Sequence, residues 1–520
     1  MKKKSSIKFL VVIILTICNS VTAQVVSPEW VIATDTLTYP GTGYMQEMRT
    51  DDLGNVYVFW SNGNNMTGEN NASLIKYNTS GVFQWENIID STWLYNYMAF
   101  DPNGGVVVTG LHAMNGGNYL NKYSFNGSLL WDTILPAFGI VQDIAVDDSG
   151  NVLIAGLRNS DKFLTAKFDN NGKFLWERLD STNVGQGFSF ITSDEQLNIY
   201  HSFRNADSSW TANIVKFNSN GVKDWETTYQ GIFNPGSAVP MGLVYKNGYI
   251  NLLVSCNDNN GDNDMAVVKY DSSGVFIWEG IYSASGQGVP LGIDVDANDN
   301  VYITGSYHEG NGPTDAYATT RFDSSGTLCW TKLYTLGGGG WDRPSDIEVD
   351  STGFIYVTGE SSDNQGNSDM VTIKYDSLGN EQWISRLDTT INFWFLGSKL
   401  SLDPLGNVYI SATASTGVNY NYNLTTVKYG FSTSVEEVKN NAGILLYPNP
   451  FDEMININSS INLENSQFVL YDIAMREVYS KNISNNLPIE IPRARIKSGI
   501  YIYKLMTNST VLQVGKIIAK

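Results

Sequence analysis

Short runs of alternating apolar and polar residues fill most of the chain, punctuated by Asp, Asn, Ser and Gly. A period of two puts one face of each run in a core and predicts β-strands throughout. The runs recur as a unit, so the repeat is read before any single residue. Its first half is strand, tight turn, strand, as in Ile144-Ala-Val-Asp147-Asp-Ser-Gly150-Asn-Val-Leu-Ile-Ala-Gly156, and it returns over 293–305 and 347–359. Its second half, Val267-Val-Lys-Tyr-Asp271-Ser-Ser-Gly274-Val-Phe-Ile-Trp278, returns over 319–330 and 372–383.

First halves occur eight times, with turns near Gly54, Gly104, Gly150, Gln196, Asn247, Asp299, Gly353 and Gly406. Strands of the Val-Lys-Tyr type also occur eight times, near Lys76, Lys122, Lys167, Lys216, Lys269, Arg321, Lys374 and Lys428. Only seven run on to a downstream tryptophan: Trp85, Trp131, Trp176, Trp225, Trp278, Trp330 and Trp383. The eighth stops at Tyr429-Gly430, and the missing strand stands at the other end of the chain, as Glu29-Trp30-Val-Ile-Ala-Thr34. Four strands per unit of about 45–55 residues predict a β-propeller. Pairing the segment at Trp30 with the one at Lys428 closes the ring and removes an open edge. The expected fold is all-β: an eight-bladed propeller over 29–430, seven-bladed if the weak fourth or fifth unit is not a blade. A small β-sandwich follows at the C-terminus.

Within each unit, Asp-x-x-Gly suits a hairpin in which the Asp side chain accepts backbone N–H groups and Gly takes positive φ. The repeated Trp four residues after that Gly is expected between neighbouring blades. Full burial would contribute about 4–6 kcal/mol each as an upper bound.

The unit resembles the β-propeller repeats of secreted bacterial proteins, which specifies fold and not activity. Its Gly-x-x-x-Trp turn is also similar to the tryptophan-docking motif of pyrroloquinoline-quinone propellers. Here the turn is one residue shorter and no adjacent cysteine pair is present, so no quinone, and no other organic cofactor, is expected. After a polar linker, 431–441, come Tyr447-Pro-Asn-Pro450, Phe468-Val-Leu-Tyr-Asp472, Ser498-Gly499-Ile-Tyr501-Ile-Tyr503-Lys504 and a basic ending at Lys516 and Lys520. Residues 442–520 thereby resemble the type A sorting domain of the type IX secretion system of Bacteroidota, with Met475 where that family usually has Gly. The resemblance implies a β-sandwich that engages the secretion machinery, crosses the outer membrane with its cargo, and leaves it released or attached to the cell surface.

The first residues agree with export. Lys2, Lys3, Lys4 and Lys8 precede an apolar run over 9–17 and Val21-Thr22-Ala23, so residues 1–23 read as a cleaved secretory signal. That run is too short for a transmembrane helix, and no later stretch replaces it. Losing the signal takes the formal net charge from −19 to −23. Such acidity argues against nucleic acid or an anionic membrane as a partner. Cys256 and Cys329 can form one disulfide at most, so burial must hold the fold together.

Candidate chemistry is sparse. His112, His201 and His308 are each expected just past the second strand of a different blade, without metal-ligand spacing. Most Asp residues fall in the repeated turns. The loop from Asn257 to Asp264 has the oxygen-rich composition of a calcium loop but lacks a terminal bidentate Glu. Calcium is the one metal considered. The two hairpins of each unit emerge on one face, and the longer connections, such as 229–240, 306–315 and 361–369, on the other. Variable loops on a rigid scaffold carry function. Trp93, Trp210, Trp341 and Trp394 lie in or beside these connections and are the candidate ligand-binding residues. No catalytic residue is assigned. The expected function is binding of a glycan or a surface protein. The alternatives are a polysaccharide hydrolase or lyase with a carboxylate pair, and a structural adhesin.

Overall fold

A computed structural model describes residues 24–33, 41–64, 70–90, 96–111, 117–135, 139–158, 162–180, 188–205, 210–231, 237–258, 261–283, 286–309, 315–336, 340–363, 367–387, 395–415 and 422–430. Beyond these it describes 444–447, 451–459, 463, 466–471, 477–483, 489–493, 496–497, 499–507 and 511–519. The proposed signal, 1–23, and the linker lie outside them. Two compact units divide the chain, Met1–Tyr429 and Gly430–Lys520.

Every regular element among the described residues is a strand. In the first unit these form eight antiparallel blades of four strands, numbered here from the blade that begins at Gly41–Thr50. The first strand of each blade touches the first strands of both neighbours, round to blade eight and back to blade one, so the ring is closed. Seven blades use consecutive strands. Blade eight takes Phe395–Leu402, Val408–Ser415 and Tyr422–Tyr429, and its outer strand is Trp30–Ala33, in register Trp30 to Lys428 and Ala33 to Thr425. The count is eight, not seven. One strand was not expected: Gln24–Val25 pairs in parallel with the outer strand of blade seven, opposite Trp383 and Ile384.

The repeated side chains tie blade to blade. Seven indole N–H groups, on Trp30, Trp85, Trp131, Trp176, Trp225, Trp278 and Trp330, donate to a carbonyl in the outer hairpin of the following blade, at 2.9–3.3 Å. Trp383 differs because the third strand of blade eight ends at Tyr429 with no hairpin after it; its ring lies 5.5 Å from that of Tyr429. The hairpin glycine is doubly constrained. Gly172 and Gly326 have φ of +78° and +86°, and a Cβ on them would lie 2.6 and 2.7 Å from Trp131 and Trp278. Of the eight tryptophans at this position only Trp278 is fully buried, at 7 % exposed. The others are half-buried because the fourth strand is the rim of the disc. Their contribution therefore falls below the full-burial bound.

The inner hairpin is held by its aspartate. Asp147 Oδ1 accepts the N–H groups of Ser149 and Asn151, at 3.0 and 2.9 Å. In five blades a tyrosine hydroxyl of the second strand also donates to the turn aspartate, at 2.8–3.1 Å: Tyr57, Tyr200, Tyr302, Tyr356 and Tyr409. Blades two and three have Val107 and Leu153 there, and the strand-three lysine takes over, Lys122 pairing with Asp101 and Lys167 with Asp147. Either way a buried carboxylate is satisfied, as it must be. Blade five has a two-residue Asn247-Gly248 hairpin with both φ positive, 53° and 85°, and no turn aspartate.

The second unit contains a three-stranded sheet (Ile444–Tyr447, Met454–Ser459, Ile489–Pro492) and a four-stranded sheet (Glu477–Ile483, Ser466–Tyr471, Gly499–Met506, Val511–Ala519). Phe451, Ile455, Ile457, Phe468, Leu470 and Leu505, all fully buried, belong to one core, which is the expected sandwich. Met475 and Pro448 to Pro450 lie outside the described residues.

Candidate functional site

The first strands wall the central channel, and here the structure gathers charges that the repeat did not advertise. Six of these strands carry a β-bulge near the variable-loop end, for example between Val141 and Asp143 and between Pro344 and Asp346. Bulges re-aim side chains. Glu47, Asp143, Asp346 and Lys399 stand four residues before the turn aspartate or its counterpart, and Arg49, Asp294 and Glu348 two before it. The inner edge of each first strand has N–H groups with no strand to pair with. Carboxylates of the preceding blade satisfy them: Asp143 accepts from Ile191 (2.8 Å), Asp294 from Val349 (2.8 Å), Asp346 from Leu400 (3.0 Å) and Glu348 from Leu402 (2.9 Å).

Burial pushes the Asp143 carboxyl up to about 7, against the lowering effect of N–H bonds from Ile191 and Ile144. Burial and the nearby Asp346 hold Glu348 well above the usual carboxylate range. Glu47 in turn raises both Arg49 and Lys399. These acids have structural work, because their oxygens hold the next blade. Their signal in sequence was an acid two or four residues ahead of a turn aspartate, legible only once the first strand is known to face a channel.

Where the channel opens on the variable-loop face lies a cleft of about 180 Å³, lined by Leu291 of blade six, Arg343, Pro344, Ser345, Gly359 and Glu360 of blade seven, and Gly397 and Ser398 of blade eight. Trp341 precedes the first strand of blade seven. Its backbone is pinned: its N–H donates to Ser362 Oγ at 2.7 Å and its carbonyl accepts from the Ser362 N–H at 2.9 Å. Gly340 permits the approach, since a Cβ there would sit 1.8 Å from the Ser362 carbonyl oxygen. The residue is 58 % exposed. The Arg343 guanidinium lies over it, 4.3 Å from the ring centre, and donates through Nε to Asp315 Oδ2 at 3.1 Å. Asp315 Oδ1 meets His308 Nδ1 at 2.9 Å. Burial raises Glu360 to about 7, partly opposed by Arg343.

Trp210 is likewise on this face, just before the third strand of blade four, 52 % exposed and stacked against Arg204 at 4.7 Å. Two blades lie between it and Trp341, so the two are not brought together. Trp93 and Trp394 lie outside the described residues, as does His112. The other histidines fall inside the second strands, not past them: His308 in Val301–Glu309 and His201 in Ile199–Asn205. His201 is fully buried, its Nδ1 2.7 Å from Thr165 Oγ1, and burial lowers it to about 3. In the loop considered for calcium, Asp258 accepts the Asp262 N–H (2.9 Å) and Asp262 accepts from Gln287 (2.7 Å), while Asn259 and Asn260 lie outside the described residues. No cluster of three or more His, Cys, Asp or Glu suited to a metal occurs among the described residues. Cys256 and Cys329 are both free.

Residues 445–520 match the family of secretion system C-terminal sorting domains. The chain is therefore exported, to be secreted or attached at the cell surface. No curated protein matches it. Among solved structures it is similar to the β-propeller domain of the Trilobed protease from Pyrococcus furiosus, at 12% identity over 65% of this chain and 92% of that one, with a TM-score of 0.39. It is similar to the WD40 domain of Neurospora crassa Pan2, at 12% identity over 64% and 88%, TM-score 0.39. A protein of unknown function from Bacteroides caccae matches at 12% identity over 55% and 91%, TM-score 0.31. At such scores they add nothing to the blade order, which stands on the chain's own sheets.

Proposed function

We propose that this exported propeller is a non-enzymatic binding module whose variable-loop face holds a glycan or protein ligand, centred on the cleft beside Trp341. The observation that supports it is a tryptophan with a pinned backbone, one face stacked on Arg343 and more than half its surface open to solvent. A large aromatic held exposed at a cleft with a few directed polar groups is the usual make-up of a recognition site. The C-terminal domain has the secretion machinery as its partner and serves delivery, not recognition. A glycan and polysaccharide array probed with the purified chain tests the reading, with product analysis alongside. Binding that Trp341→Ala abolishes supports it. Neither binding nor turnover would leave a structural surface role.

A hydrolase or lyase is the second reading, favoured by one observation. Glu360 lines the cleft with its carboxyl raised to about 7, where a general acid is useful. Product release that Glu360→Gln stops would select it.

A further inference from the structure

We propose that Trp210 with Arg204 is a second platform equivalent to Trp341 with Arg343, so that the variable-loop face holds one carboxylate-bearing polysaccharide chain at two points. This rests on the binding reading above and extends it to a ligand class. The two pairs share construction. Each tryptophan is pinned through its backbone, Trp210 by the Ala238 N–H on its carbonyl at 2.8 Å and by a bridge to Ser237, Trp341 by Ser362. Each carries an arginine on one ring face, at 4.7 and 4.3 Å. Each stays more than half exposed with that face covered, at 52 % and 58 %. The second ring face and the edge are therefore what solvent sees. Both differ from seven of the eight repeated tryptophans, whose indole N–H groups are consumed by the next blade. Neither indole N–H here has a protein partner among the described residues.

An indole face accepts the apolar face of a sugar ring, and a guanidinium beside it pairs with a planar carboxylate through parallel N–H groups. Arginine at both platforms selects uronate-type sugars over neutral ones. The chain's net charge of −19 repels a polyanion at long range, so the selectivity has to come from these two short-range contacts. The platforms sit on one face, three blades apart, with Trp341 entering an innermost strand and Trp210 a third strand. With strands about 4.8 Å and packed sheets about 10 Å apart, their separation is on the order of 25 Å. Only a chain of several sugar rings can reach both, and the second contact then acts at high effective concentration.

The test uses the full chain with polygalacturonate and its trisaccharide as probes, in calorimetric titrations of wild type, Trp210→Ala, Trp341→Ala and the double variant. Melting temperatures are measured on each. The expected result is two trisaccharide sites in the wild type, one in each single variant and none in the double. Polymer affinity should fall about 100-fold in either single variant. If Trp341→Ala abolishes binding while Trp210→Ala matches wild type, the second platform is overturned and the binding reading stands. If a neutral xylan binds as tightly as polygalacturonate, or the wild type ignores polygalacturonate, the acidic class is overturned. If neither variant alters a ligand found on the array, the binding reading falls as well.

Discussion

The two faces of the propeller follow opposite rules. On the hairpin face a handful of bonds repeats round the ring: aspartate to turn N–H, indole N–H to the next blade's carbonyl, glycine under indole. There the turn aspartates and the indole N–H groups are spent within the ring. On the opposite face connections differ in length and sequence, and aromatic and charged groups stay exposed, as at Trp210, Trp341 and Arg343. Repeated bonds thus belong to one face and variable connections to the other, the arrangement in which rigid scaffolds carry binding loops.

Substitutions can break that division, and the largest effect is expected on the hairpin face. Gly326→Ala forces a side chain into φ +86° and within 2.7 Å of Trp278. It should cost about 2–4 kcal/mol in urea unfolding, from left-handed strain and overpacking together. Asp296→Ala comes next. Its Oδ1 accepts the N–H groups of Asn298 and Asn300, and its Oδ2 the Asn300 amide and the Tyr302 hydroxyl. Leaving those donors unpaired should cost about 2–3 kcal/mol. A loss below about 0.5 kcal/mol in either variant would refute the assignment of stability to this face.

Glu360 on the variable-loop side gives a smaller and pH-dependent effect. Its native carboxyl titrates near 7, above the ordinary glutamate value near 4.3. Between those values the native state binds the proton more tightly than the unfolded chain. Stability therefore declines as pH rises through that window and levels off above about 7. Glu360→Gln should gain on wild type between about pH 5 and pH 8 in denaturant midpoints. A flat difference would show that Glu360 is not desolvated. Smallest of all is Trp341→Ala, expected to shift stability by no more than about 0.5 kcal/mol while removing ligand binding. A large loss of stability would recast Trp341 as part of the scaffold.

Much of the architecture was legible because strand period, turn chemistry and repeat spacing are local. Each Asp-x-x-Gly fixes its own hairpin, and counting tryptophans showed that Trp30 belongs beside Lys428, which the register bears out. The sorting domain was legible for the same reason, since 445–520 is a contiguous motif. The candidate site was half legible. Trp210 and Trp341 stood out as breaks in the repeat, but nothing in sequence paired them with Arg204 and Arg343 or linked Arg343 to Asp315 and His308 of the preceding blade.

The sequence by itself determined the strand character of the repeat, the turns within it, the strand that completes the last blade and the route of export. Only the tertiary structure decided the extra strand at Gln24–Val25, the channel carboxylates that hold the next blade's N–H groups, and the cleft shared by blades six to eight. Those features join residues about one repeat or more apart, brought within reach by the packing of blade on blade and, for Gln24–Val25, by closure of the ring. The apolar and polar pattern of one repeat fixes its own strands and turns, but not which side chain of the neighbouring blade each group will meet.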